Sequence, residues 1–93
     1  KKPSISDKII GQLRIKYMQR GLEWYSGGDL EIKLAGMFGC KAGTINRELR
    51  RLTEENNGER LEKDERECLY SKIKTVWYRY KPSKYDIINK SMN

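Results

Sequence analysis

Between Lys41 and Arg51 the chain gathers side chains that hydrogen-bond in fixed geometries: Thr44, Asn46, Arg47, Arg50 and Arg51, with Gly43 among them. A guanidinium is a planar fork of donors, suited to two acceptors at once, as on the O6/N7 edge of guanine. An amide suits a donor–acceptor pair such as adenine presents. A hydroxyl reaches phosphate or the thymine methyl. At 100° per residue these side chains share one arc of a helix, opposite Ile45, Leu49 and Leu52. A solvated helix face has the same pattern, with Arg51 paired to Glu48 or Glu55. Residue types alone leave both readings open.

The chain has 93 residues, 37% hydrophobic and 35% charged. That describes one folded domain with a modest core and little room for a separate catalytic pocket. The net charge of +7 favours a polyanionic partner, although a merely solubilising surface would look alike. The excess is not a tail. Residues 1–28 carry 6 positive and 2 negative charges, whereas residues 29–57 carry 5 of each. Any positive face must be assembled by folding. No apolar run approaches the ~20 residues that span a bilayer, and no secretory leader is visible. A cytoplasmic protein without a membrane partner is expected. Two cysteines, Cys40 and Cys68, and no histidine leave no metal-ligand spacing. There is also no glycine-rich phosphate loop and no nucleophile–base pair. The expectation is a non-enzyme with no cofactor and no metal, its thiols reduced.

The elements that must position the basic arc follow from periodicity. Ile5, Ile9, Leu13 and Tyr17 predict a first helix over about 5–20, with Ser4 or Ser6 as cap and Gly21 as stop. Leu22, Trp24 and Tyr25 suggest a brief strand or linker. Ser26-Gly27-Gly28 reads as a break, and Asp29 as the cap of a second helix over about 30–37. Leu30, Leu34, Met37 and Phe38 form its apolar face, with Ile32 turned away. Gly39 supplies a tight turn, and a third helix runs over about 42–55, ended by Asn57-Gly58. Residues 60–67 and 74–81 are two candidate strands, the second alternating Val76, Tyr78 and Tyr80 with Thr75, Trp77 and Arg79. Residues 83–93 form a tail or short helix capped by Ser83, with Tyr85, Ile87, Ile88 and Met92 able to pack on the core or on a second copy. Trp24, Tyr25 and Cys40 are expected to pack inside.

The stretch "DLEIKLAGMFGCKAGTINRELRRL", residues 29–52, resembles the winged helix-turn-helix family. It has an acidic cap, Leu-Ala, a glycine turn, small or polar residues, Thr-Ile, then arginine and leucine. The charged hairpin "RLEKDE…KTVWYRYK" extends the likeness. The resemblance implies a mainly α fold with a small β-hairpin, over residues 1–82: a three-helix core plus a two- or three-stranded wing. It implies double-stranded DNA as partner, with the third helix in the major groove. Lys41, Gly43, Thr44, Asn46, Arg47, Arg50 and Arg51 would then serve as recognition residues, and Arg66, Lys72 and Lys74 as wing contacts. Lys1, Lys2, Lys8, Arg14 and Lys16 could add phosphate contacts. An outward glycine such as Gly43 costs ~1 kcal/mol of helix propensity. Either a ligand backbone approaches it, or it is simply tolerated in a first turn.

Glu62, Asp64, Glu65 and Glu67 would repel DNA if they faced it. The first expectation is a small transcription regulator acting by site occupancy, helped by homodimerisation, with the compactness of phage, viral or plasmid regulators. The alternatives are a protein-interaction module on the same fold, for which the acidic hairpin speaks, and a component of replication or segregation machinery.

Overall fold

The computed structural model describes residues 4–54, 60–67, 69–71 and 73–92. Lys1, Lys2, Glu55, the Asn57-Gly58 stop, Cys68 and Lys72 therefore lie outside the described residues. Among those described, the chain runs α1 (Ile5–Arg20), β1 (Tyr25–Ser26), α2 (Gly27–Phe38), α3 (Ala42–Glu54), β2 (Leu61–Glu67), β3 (Lys74–Tyr80) and α4 (Lys84–Ser91). This is a mainly helical α+β fold with a small antiparallel sheet of order β1-β3-β2.

Helix α1 starts where the Ser4 hydroxyl accepts the Asp7 N–H at 3.2 Å. It stops at Gly21, whose N–H donates to the Tyr17 carbonyl at 2.8 Å. Its stripe of Ile9, Ile10, Leu13 and Tyr17 is buried, as the periodicity predicts. Helix α2 begins three residues earlier than expected. Its cap is Ser26, not Asp29: the Asp29 N–H donates to the Ser26 hydroxyl at 3.4 Å. Gly27 and Gly28 are thus its first turn rather than a break. Gly27 is there because a Cβ would stand 3.0 Å from the Val76 carbonyl oxygen and 3.1 Å from the Tyr78 ring. Its absence lets α2 abut β3.

Gly39 ends α2 in the left-handed region (φ 66°), and the chain turns directly into α3. Leu30, Leu34 and Ala35 from α2 meet Ile45, Leu49 and Leu52 from α3 in one core, with Leu61, Tyr78 and Tyr80 from the sheet. Each fully buried Leu or Ile contributes about 1.5–3 kcal/mol. Tyr25, Phe38 and Cys40 pack partly against this core, but Met37 is 58% exposed and does not join it. Ile32 is exposed, as its position off the stripe implied.

Strands β2 and β3 pair in the register Leu61↔Tyr80 to Glu67↔Lys74, and Tyr25 of β1 pairs with Tyr78. Side chains alternate between faces along a strand. Leu61, Val76, Tyr78 and Tyr80 therefore meet the helices, while Glu62, Asp64, Arg66, Trp77 and Arg79 occupy the outer face. There Trp24 lies under Arg79, whose guanidinium carbon is 4.5 Å from the ring centroid, so Trp24 is not the core residue its apolarity suggested. Helix α4 forms as expected on a capping box of Ser83 and Asp86. It does not dock through its apolar residues, however: Tyr85, Ile87, Ile88 and Met92 are exposed, and the buried residue is Asp86.

Candidate nucleic-acid interface

Helix α3 presents its two faces as the spacing requires. Ile45 and Leu49 are fully buried, and Arg47, Arg50 and Arg51 all project to solvent. Asn46, Arg47, Arg50, Arg51 and Glu54 line one continuous hollow on the molecular surface. Arg47 and Arg50 make no ion pair with the described residues. Arg51, itself exposed, lies 3.8 Å from the half-buried Glu48 on the same helix, a loose pair. Lys41 is exposed ahead of the helix, and its carbonyl accepts the N–H groups of Thr44 at 3.0 Å and Ile45 at 3.4 Å. Gly43 is exposed, and a Cβ there would meet nothing within 4 Å, so no contact within the chain requires glycine. Thr44 is half-buried.

A second cleft opens beside the first, between the N-terminus of α2, the middle of α3 and the start of β3. Gly27, Glu31, Asn46, Arg50, Lys74 and Tyr78 are among its lining residues. Lys74 is thereby brought to the flank of α3. Asn46 and Arg50 line both hollows and join them. Asn46, however, does not stand free as expected: its amide nitrogen donates to the Glu31 carboxylate of α2. Burial pushes the neighbouring Tyr78 hydroxyl above its ordinary pKa, with the Arg50 charge opposing and Glu31 adding to it.

Arg66 departs most from expectation. It belongs to strand β2 on the outer face, bonded to Asp64 at 3.0 Å. Its guanidinium carbon lies 4.7 Å from the Trp77 centroid and 5.6 Å from that of Trp24. Such stacking holds the cation against the sheet. Lys72 lies outside the described residues. Two of the feared carboxylates are also neutralised on that face: Asp64 by Arg66, and Glu62 by a two-pronged contact from Arg79 at 3.0 and 3.1 Å. Glu65 and Glu67 remain exposed on the sheet face that carries Lys63 and Lys74.

Three cations of α1 make contacts within the fold. Arg14 donates to Asp86 at 2.7 Å, Lys16 stands over Tyr25 at 5.0 Å, and Lys8 over Phe38 at 5.9 Å. Burial raises the Asp86 pKa, but hydrogen bonds from Tyr80, Arg14 and the Ser83 N–H outweigh it and bring the carboxyl down to about 2. Burial and the bond to Asp86 push the Tyr80 hydroxyl upward. Sequence reasoning passed over Glu31, Asp86 and Gly27. Only Asp86 left a local signal, in the Ser83-x-x-Asp86 spacing of a capping box.

Among the described residues no group of His, Cys, Asp or Glu is placed to hold a metal, and no helix is long and apolar enough to cross a membrane. No family model, curated protein or solved structure gives a significant match to the chain.

Proposed function

We propose that this chain is a sequence-specific double-stranded DNA-binding module of the winged helix-turn-helix kind, with α3 in the major groove and the β2–β3 hairpin as wing. The observation that carries it is one hollow on α3 lined by half-buried Asn46 and the exposed Arg47, Arg50 and Arg51, joined through Arg50 to Lys74 of the hairpin. The guanidiniums of Arg47 and Arg50, which make no ion pair with the described residues, suit phosphate oxygens and guanine edges. The bare Gly43 near the start of α3 lets a ligand backbone come close. Such a module acts by occupying its site. A second copy would double the contacts across two half-sites. The exposed Tyr85, Ile88 and Met92 of α4 and Ile15 of α1 offer the apolar surface for it.

The test is a fluorescence-anisotropy titration against duplex DNA at several salt concentrations. Affinity should fall with salt at a log–log slope near −0.9 per phosphate contacted. Arg47→Ala should cost ~1–3 kcal/mol on a selected site. Affinity that ignores both salt and Arg47 would end the proposal. Binding of an acidic protein partner through the same arginines would favour the protein-interaction alternative.

A further inference from the structure

We infer that Glu31 is a specificity-determining residue: it fixes the orientation of the Asn46 amide and so decides which base edge Asn46 reads. The inference rests on the duplex-binding reading above and concerns a residue outside the basic set that carries it.

A carboxylate accepts and cannot donate, so the end of the Asn46 amide that faces Glu31 must be Nδ2. The usual ambiguity between amide oxygen and nitrogen is thereby removed by chemistry. Oδ1 is left without a hydrogen-bond partner among the described residues, together with the second N–H. One acceptor beside one donor is the pattern complementary to adenine N6 and N7. A free asparagine could turn over about its last torsion and offer its donors elsewhere. One held by Glu31 cannot do so without leaving a carboxylate unpartnered in a cleft.

The location adds an electrostatic effect of opposite sign. Glu31 shares its cleft with Arg50 and Lys74, the cations placed to meet phosphate. Its negative charge weakens their attraction for any duplex, whatever the sequence. Glu31 thus lowers general affinity while sharpening choice at one base pair. A residue with a merely structural role would not divide these two quantities: its loss would lower both.

The experiment begins by selecting a preferred duplex from a random pool with the wild-type protein. Wild type, Glu31→Gln, Asn46→Ala and the double variant are then titrated on that duplex, on its single-base-pair variants and on a random duplex. Glutamine keeps the shape and can donate or accept, so it accommodates either amide orientation. Circular dichroism and melting of each variant, with Glu31→Ala as a second substitution, confirm that the fold is kept. Glu31→Gln should bind the random duplex several-fold more tightly. It should lose about 10-fold discrimination at the base pair where Asn46→Ala also loses it. Adding Glu31→Gln to Asn46→Ala should change that discrimination no further. Wild-type discrimination retained by Glu31→Gln at every position overturns the inference, as does an equal loss of affinity on all duplexes. A wild-type protein that shows no salt-dependent duplex binding overturns the duplex reading itself, a result recognisable before any variant is made.

Discussion

Arg14 of α1 donates to Asp86 of α4 across 2.7 Å, and the Tyr80 hydroxyl reaches the other carboxylate oxygen at 2.5 Å. The last helix is therefore docked by a charge and not by an apolar seam. Asp86 is the most buried residue of α4, whereas its isoleucines face solvent. The same carboxylate also closes the capping box by accepting the Ser83 N–H. One side chain thus starts the helix and fixes it to the rest of the fold.

This arrangement makes the stability of the protein depend on pH in a defined window. The folded Asp86 pKa, about 2, lies below the ordinary 3.8. The stabilisation is fully present above pH ~4 and is lost as pH falls toward ~2. The shift corresponds to about 2 kcal/mol. Asp86→Asn should cost about that much in urea unfolding at pH 7, and the gap from wild type should largely close by pH 2. A gap that stays constant with pH would assign the loss to packing instead.

The two glycines Gly27 and Gly43 should respond oppositely to alanine. At Gly27 the new methyl meets backbone, 3.0 Å from the Val76 oxygen, so α2 must move off β3. A loss of about 1–3 kcal/mol is expected. At Gly43 the methyl meets nothing, and helix propensity predicts a gain of up to ~1 kcal/mol. If Gly43 is bare so that DNA can approach, Gly43→Ala should melt at a higher temperature and yet bind duplex more weakly. Thermal melts and anisotropy on the same samples separate the two effects.

How far the fold could be read from the sequence depended on how local each cause was. The α1 stripe, the Gly39 turn and the alternation of β3 are set by neighbours two to four residues away, and all appear as expected. Ser26 was missed as a cap because Gly27-Gly28 carries a breaker pattern. Only the approach of β3, distant in sequence, explains glycine there. The basic face of α3 was legible because a helix displays its own periodicity. Its acidic neighbour was not, since Glu31 lies fifteen residues before Asn46 on another helix. The surroundings of Arg66 are hidden for a related reason: a strand residue's face is clear only once the register with Trp77 and the position of Trp24 are known.

The hairpin carboxylates should divide into two classes by face. Glu62 and Asp64 are paired with Arg79 and Arg66 on the outer side. Glu65 and Glu67 share the face of Lys74, which borders the second cleft. Glu65→Gln and Glu67→Gln should therefore tighten duplex binding a few-fold at low salt, with the gain fading as salt screens it. Glu62→Gln should leave affinity alone and cost about 0.5–1 kcal/mol of stability through the half-exposed Arg79 pair. Unchanged affinity for Glu65→Gln and Glu67→Gln at low salt would mean that their face is not turned toward DNA.

Arg66 offers the sharpest division between a residue that holds the wing and one that contacts DNA. Its guanidinium is shared by Asp64, Trp77 and Trp24, so it is already satisfied within the sheet. Arg66→Ala should cost about 0.5–1 kcal/mol of stability, the usual worth of an exposed cation–aromatic contact. A double-mutant cycle with Trp77→Leu should recover most of that as coupling. Because no phosphate contact is lost, the salt slope of duplex binding should stay at the wild-type value, whereas Arg50→Ala should reduce it by about one phosphate's worth. A reduced slope for Arg66→Ala, with unchanged stability, would return this residue to the contact surface and require the hairpin to repack when DNA binds.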